Sequence, residues 1–405
     1  MNAIVLVLDR LHAGYVGAYG NTWIETPAMD RLAVEGFVFD QFLIDSPRLE
    51  SLSQSYWTGQ HALCQRESRQ ERPALPSLIS SAGVESTLLT DEPVLTAHPH
   101  CRQFGELVEV DAPEAAALAD DINGTHLARS FARIVDWLDS APTTFLLWCH
   151  LTALGGPWDA PTEFRLRCSE PDDPDPPDSA DVPARVLEHD YDPDELLGIT
   201  QSYAGQVLLL DTCLGALWEF LDSSPAGRDT LVVLLSARGF PLGEHRYVGG
   251  SGGGLYGELV HVPFMLRLPD GTGAAGRSQA LVHPIDLWAT LLDWWDVRAI
   301  PEAPGANSLL PVVHDDAPAA RDRLCLTDGA HEEAIRTPAW YLRDAGSLEL
   351  FAKPDDRWET NDVADRCAQV IDPLRSAFSQ FQTALQSGKP DSVDPLDDIL
   401  LHGLE

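Results

Sequence analysis

Short apolar runs alternate with stretches of helical periodicity through roughly the first three hundred residues, the pattern of a mostly parallel sheet with helices on its faces. It predicts strands at 4–8, 87–89, 144–148, 231–235 and 262–267, and helices at 27–35, 75–82, 124–139, 194–221 and 284–295. Thr26 stands at the cap of the first of these helices and Pro27 in its first turn, the positions those residue types favour. After a linker near 303–306 the pattern shortens to hairpin-like strands at 334–337, 339–342 and 348–351 and one amphipathic helix at 364–385. The expected organisation is an α/β domain over 1–310, a small α+β subdomain over 311–385 and an acidic tail over 386–405. Residues 169–195 are dense in Pro, Asp and Glu, which predicts an exposed loop too polar to pack. Residues 249–254 form a glycine-rich stretch, and no internal repeat is visible.

Composition narrows the partners of such a chain. The 63 acidic and 27 basic side chains leave a formal charge of −36, a field that repels phosphate backbones and anionic lipid. Neither nucleic acid nor a membrane is therefore expected as a partner. Lysine occurs only at Lys353 and Lys389, so arginine carries the positive charge. Seven scattered cysteines (Cys64, Cys101, Cys149, Cys168, Cys213, Cys325 and Cys367) contain no CxxC pair, which favours a reducing compartment. The run at 4–8 is too short to span a bilayer and has no basic leader or cleavage site, so a cytoplasmic location is expected.

In open α/β sheets ligands bind beyond the carboxyl ends of the strands. Those ends carry Asp9 and Arg10 after the first strand, and Ala237 and Arg238 after the strand at 231–235. Ile4 through Asp9, Gly17, Tyr19, Gly20 and Asn21, followed by Thr26-Pro27 through Gly36, resemble the N-terminal signature of the sulfatase family in the alkaline phosphatase superfamily. Further matches follow in family order at Ser46-Pro47, Thr58-Gly59, 75–83, 158–161, Gly243-Glu244-His245, Leu255-Tyr256, Val262-Pro263, 308–311 and 334–337. The resemblance implies an alkaline-phosphatase-like fold.

It also implies a chemistry: hydrolysis of sulfate esters by formylglycine, an oxidised cysteine whose hydrate attacks sulfur beside a bound divalent cation. Carried across residue by residue, the nucleophile position is Leu49, the motif's proline is Ser51 and its arginine Ser53. The family's cation ligands fall on Asp9, Arg10, Ala237 and Arg238, where hard oxygen donors would suit Ca²⁺ or Mg²⁺. Leucine cannot attack, and arginine cannot deprotonate to become a ligand. Each guanidinium would repel a divalent ion by about 8 kcal/mol at ~4 Å for an effective dielectric constant near 20. The family's anion clamp falls on Asp91, Pro93, Gly155 and Gly252, none of the needed type. No catalytic residue, metal or other cofactor is expected.

Two readings of Asp9, Arg10 and Arg238 stand side by side. The arginines neutralise Asp9 in the vacated cation site, or they form a metal-free pocket that grips sulfate or phosphate. His245 either lines the residual cleft with them or is a surface imidazole. Glu50, Ser51 and Ser53 lack an activating partner and read as loop and cap residues. His98, His100 and Cys101 fall short of the spaced four-ligand pattern of zinc. Tyr19, Trp57, Trp148 and Trp158 fall near the cleft rim, as ligand-facing rings or as core, and Trp294-Trp295 should pack their helix on the sheet. The loop 169–195 is a solvated insertion or a docking strip for a basic partner. The expected function is that of a catalytically inactive sulfatase-like protein with a binding or regulatory role. The alternatives are a divergent metal-independent hydrolase of sulfate or phosphate esters, or a binder of anions or sulfated glycans.

Overall fold

The computed structural model describes residues 1–64, 72–111, 117–250, 252–298, 303, 305–315, 321–388 and 393–404. Lys389, Ser251 of the glycine-rich stretch and Pro304 of the linker lie outside the described residues. In chain order the strands are β1 Asn2–Leu8, β2 Phe37–Phe42, β3 Glu85–Thr90, β4 Glu106–Glu109, β5 Phe145–Leu151, β6 Arg185–Val186, β7 Thr230–Leu235, β8 Tyr247–Val248, β9 Phe264–Arg267 and β10 Gly276–Val282, then β11 Leu324–Thr327, β12 Glu333–Arg336, β13 Trp340–Asp344 and β14 Leu348–Ala352. Eight of them form one sheet in the order β10-β2-β9-β7-β1-β5-β3-β4. β9 runs antiparallel to β2 and β7, and the other pairs are parallel.

β1 explains why the central strands read so clearly. Ala3, Val5 and Val7 enter one core layer, while Ile4, Leu6 and Leu8 enter the other. A strand covered on both faces is apolar without interruption, so its first charged residue, Asp9, emerges at the carboxyl end. β5 and β7 alternate in the same way, with Trp148, Leu231, Val233 and Leu235 on one layer and Cys149, Val232 and Leu234 on the other.

The expected helices stand as Pro27–Glu35, Leu75–Ser80, His126–Asp139, Pro193–Ser223 and Pro284–Trp294. Pro193–Ser223 is long and apolar enough to cross a membrane, and 72% of its apolar window is buried in the protein, as befits a core helix. Thr26 occupies the cap position but makes no side-chain cap. Its Oγ1 accepts from Gly17 N at 2.9 Å, and Asp211 instead accepts from Ala28 N and Met29 N at 3.0 and 2.9 Å. Trp294 and Trp295 donate from Nε1 to Asn2 O and Met1 O, each at 3.0 Å, and so tie their helix to the start of β1.

Two segments differ from expectation. Residues 169–195 are not simply a solvated loop: Ala180 and Leu187 are buried, and Pro193 already opens the long helix. The fully buried Arg165 donates to Trp158 O at 2.5 Å, Ser179 O at 2.8 Å and Pro177 O. One guanidinium thus satisfies carbonyls that a proline-rich backbone cannot pair with its own donors. The C-terminal sheet, β11-β12-β13-β14, is antiparallel and packs on the helix Ala368–Gln386. Of the residues beyond it, 387–388 and 393–404 are described. The helix Asp398–His402 buries Leu400, whose carbonyl accepts from Thr337 Oγ1 at 2.7 Å, while Ile399 O accepts from Trp340 Nε1 at 2.8 Å.

Candidate functional site

Asp9 follows β1 and Arg238 follows β7, the neighbouring strand, so the sheet register brings the two together. Arg238 grips the carboxylate with both arms of its fork: Nε donates to Oδ1 at 3.1 Å and Nη2 to Oδ2. Arg10 adds a second cation, with Nε 3.8 Å from Oδ2, and its own N–H donates to Oδ1 at 3.0 Å. Burial would raise the Asp9 carboxyl, but Arg238 and then Arg10 outweigh it and hold it below the ordinary carboxylate range. Arg10 itself is pushed down to about 10, chiefly by burial.

Arg10 has a φ of 68°, a left-handed conformation that Asp and Asn tolerate and long side chains pay for. Tyr203 holds it there, donating to Arg10 O at 2.6 Å and accepting from His12 N at 2.8 Å. The Arg10 side chain then runs across two glycines. A Cβ at Gly155 would sit 2.8 Å from Arg10 Cγ, and one at Gly250 3.2 Å from Arg10 Cζ. Arg10 therefore fills the space that a side chain at position 155 would need. Its Nη1 donates to Gly239 O at 3.3 Å.

Leu49 begins the helix Leu49–Thr58, a helix the sequence reading did not anticipate, and is 5% exposed. Arg238 Nη1 reaches Pro47 O at 3.5 Å, just before that helix. Ser53 donates to Leu49 O at 2.7 Å, the back-bonding of a helical serine. Ser51 is half-buried and Glu50 exposed on the same helix. Asp91 is buried and engaged: His126 Nε2 lies 2.6 Å from Oδ2, Thr152 N donates to Oδ1 at 2.7 Å and Thr152 Oγ1 to Oδ2 at 2.8 Å. His126 and Thr152 were missed because they stand far from Asp91 in sequence and no local pattern joins them. His150, at the end of β5, was also missed. It is 1% exposed, its Nε2 has no hydrogen-bond partner, and burial pushes it down to about 4.

The remaining expected residues go elsewhere. His245 Nδ1 is 2.7 Å from Glu258 Oε1 and its Nε2 2.9 Å from Glu359 O, with its ring stacked 3.6 Å from that of Tyr256. It shares none of these contacts with Asp9 or Arg238. Burial pulls His245 down, but the hydrogen bond and charge of Glu258 more than reverse this, and its pKa is raised above 6.5. A raised histidine stabilises the fold fully below its unfolded pKa and loses that contribution as pH rises through the folded one. The contribution of His245 is therefore expected to be lost as pH rises above 6.5 through its folded value, and the difference in urea midpoint between the wild type and His245→Gln to shrink in that direction. Trp57, Trp148, Trp158 and Tyr19 are buried core, not a rim. His98 accepts from His100 N at 3.3 Å within the turn Pro99–Gln103, and burial raises the Cys101 thiol. Among the described residues no group of three or more His, Cys, Asp or Glu converges as a metal site.

A family model described as Sulfatase matches residues 1–297. The chain belongs to the sulfatase family. The multifunctional alkaline phosphatase superfamily protein PehA of Trinickia caryophylli is 28% identical over 128 residues, 31% of this chain and 24% of PehA. An N-acetylglucosamine-6-O-sulfatase of Bacteroides thetaiotaomicron is 30% identical over 122 residues, 30% of this chain and 21% of that enzyme. The chain thus spans less than a quarter of the length of either curated relative. Among solved structures, BT4656 in complex with its substrate D-glucosamine-2-N,6-O-disulfate superposes with a TM-score of 0.75 at 17% identity, over 97% of this chain and 99% of that one. The phosphonate monoester hydrolase of Agrobacterium radiobacter superposes at 0.74 with 18% identity, over 95% of both chains. These two likenesses are of fold: a mostly parallel sheet flanked by helices, with a separate antiparallel sheet toward the C-terminus.

Within the sulfatase fold, the positions that resemble the family's cation ligands offer a single carboxylate, and two guanidiniums already engage it.

Proposed function

We propose that this sulfatase-family chain does not hydrolyse sulfate esters, holds no divalent cation, and acts as a binding or regulatory protein. The observation that carries the reading is the Arg238 fork on Asp9, with Arg10 beside it. A pair built this way neutralises the carboxylate that would otherwise stand buried and alone. Leu49 supplies no lone pair at the nucleophile position, and Asp91, where the resemblance places a lysine of the anion clamp, is a carboxylate held by His126. The same pairing argues against an anion pocket at Arg10 and Arg238, because both guanidiniums face Asp9. Short sulfated sugars, too small to meet the repulsion of the acidic surface along a whole chain, are the ligand class we favour for a binding role. BT4656 was solved with a glucosamine disulfate, and a related fold, Ps i-CgsB, with a neocarrahexaose.

The test is turnover of an aryl sulfate and an aryl phosphonate by the purified chain with added Ca²⁺, Mg²⁺ or chelator. The expected outcome is no hydrolysis above the protein-free blank in any condition. Turnover that chelator abolishes would falsify the proposal, and turnover indifferent to metal would replace it with a divergent hydrolase.

A further inference from the structure

Between the β10–β2 edge of the main sheet and the C-terminal sheet lies a cavity of about 240 Å³. Arg277 from β10, Arg336 from β12, and Lys353 and Arg357 from the segment after β14 all line it. It shares no lining residue with the Asp9, Arg10, Leu49 and Arg238 cluster. Four of the 27 basic side chains of a chain with a charge of −36 thus meet in one hollow.

Two carboxylates face them, and both are spoken for. Asp40 Oδ1 is 3.1 Å from Arg277 Nη1, and its other oxygen accepts from Gln279. Glu359 accepts from Lys353 Nζ at 2.5 Å and from Gly257 N at 2.6 Å. His261, 2.7 Å from Asp40 O, is pushed down to about 4 by burial and adds no charge near neutrality. Arg336 and Arg357 form no ion pair: among the described residues no carboxylate oxygen lies within 4.0 Å of either guanidinium, and Glu359 and Asp40, already paired, act on them only from farther away. Arg336 is 5% exposed and donates only to neutral acceptors: Thr337 O, Trp340 O at 3.5 Å and Gln41 Oε1 at 3.3 Å. Arg357 stands at the exposed rim, donating to Tyr19 O at 2.7 Å with its guanidinium 4.8 Å from the Trp358 ring centroid. Burial lowers Arg336, Lys353 and Arg357 alike.

A desolvated cation is strongly unfavourable unless a counter-charge completes it, and guanidinium forks match the edges of oxyanions. We infer that this cavity binds a small tetrahedral oxyanion, sulfate or phosphate, free or as the group of a monoester, with Arg336 at its floor and Arg357 at its mouth. The size and charge of the ligand follow from the rest of the molecule. The acidic surface repels extended polyanions, whereas a single oxyanion inside the cavity feels mainly the nearby guanidiniums, since fields from exposed charges fade within roughly 8 Å at physiological salt.

Isothermal titration of the whole chain tests this, with sodium sulfate, sodium phosphate, glucosamine 6-sulfate and glucose 6-phosphate at matched ionic strength and chloride as the blank. Saturable heat is expected, weakened at least about tenfold by Arg336→Met and by Arg357→Gln; the second variant sits at an exposed position and keeps the test valid should the first misfold. A monoester binding about tenfold tighter than its free ion identifies an ester ligand, the reverse identifies the free ion, and equal strength shows that the oxyanion alone is recognised. The inference is overturned if no probe gives saturable heat, or if Arg357→Gln binds as the wild type does. It is overturned too if the heat survives Arg357→Gln and disappears in Arg10→Gln, which would place the ion at Asp9. Turnover of aryl sulfates leaves this outcome untouched.

Discussion

Arg238→Ala should lower the unfolding free energy by about 3 kcal/mol, toward the lower end of the range for breaking a buried pair. The lower end applies because Asp9 is 3% exposed at its side chain but Arg238 is 17% exposed, so water can partly replace the lost partner. The loss is large against a whole-protein stability of about 5–15 kcal/mol. Removing Arg238 leaves Asp9 with Arg10 alone at 3.8 Å, and the desolvation that the fork offset is then exposed. Asp9→Ala in the same background should recover part of the loss, since the uncompensated charge is gone, and the double-mutant cycle measures the coupling. The sign with pH is also fixed. With its pKa held below 3.8, Asp9 contributes stability that is present above the unfolded value and is lost as pH falls through the folded one. In Arg238→Ala that acid loss should begin at higher pH. Urea midpoints from about pH 3 to 7 decide it, and equal stability of variant and wild type throughout would show that the pair contributes nothing.

Gly239→Ala should be comparably damaging for a different reason. A Cβ at Gly239 would lie 2.0 Å from Glu258 O and 2.9 Å from its carbonyl carbon. Both atoms are backbone and no rotamer relieves the clash, so the loop after β7 must move. Gly239 N also donates to Leu259 O at 2.8 Å and its carbonyl accepts from Arg10, so the movement disturbs the Arg10 and Arg238 pair as well. Overpacking typically costs about 1–3 kcal/mol and more against rigid backbone, and we expect the upper end. Gly215→Ala is the matched control. Its Cβ would meet nothing closer than Ala28 Cβ at 3.8 Å, in mid-helix, where alanine is favoured over glycine by roughly 1 kcal/mol. Calorimetric melting of the two variants should move in opposite directions.

The central sheet was legible because its strands are buried on both faces, so β1, β5 and β7 stand out as unbroken apolar runs. The edges were not. β4 carries glutamate at both ends, and β10 opens with Gly276-Arg277-Ser278-Gln279 before turning apolar, as strands that meet solvent commonly do. β2 follows the helix Pro27–Glu35 directly through Gly36, without the turn signal that would have separated them. At the site, Asp9, Arg10, Leu49 and Arg238 could be named from the resemblance, which aligns each along one strand or one motif. The groups that hold them could not. Tyr203 on Arg10 and His126 on Asp91 join residues brought together only by tertiary packing; so do Arg336 and Arg357, which line one cavity elsewhere in the molecule. His245 shows the limit most plainly: its motif is local, but its partners Glu258 and Glu359 belong to two different parts of the chain.

The fit of Arg10 over Gly155 couples the two positions sterically. Placing a side chain at position 155 while Arg10 is present would put its Cβ 2.8 Å from Arg10 Cγ, two groups in one volume, so a larger residue there fits only when position 10 is smaller. Replacing Arg10 first would strip Asp9 of one of its two cations and leave a hollow in its place. The two positions thus work as a steric toggle across the sheet end: an arginine at 10 and a side chain at 155 exclude one another.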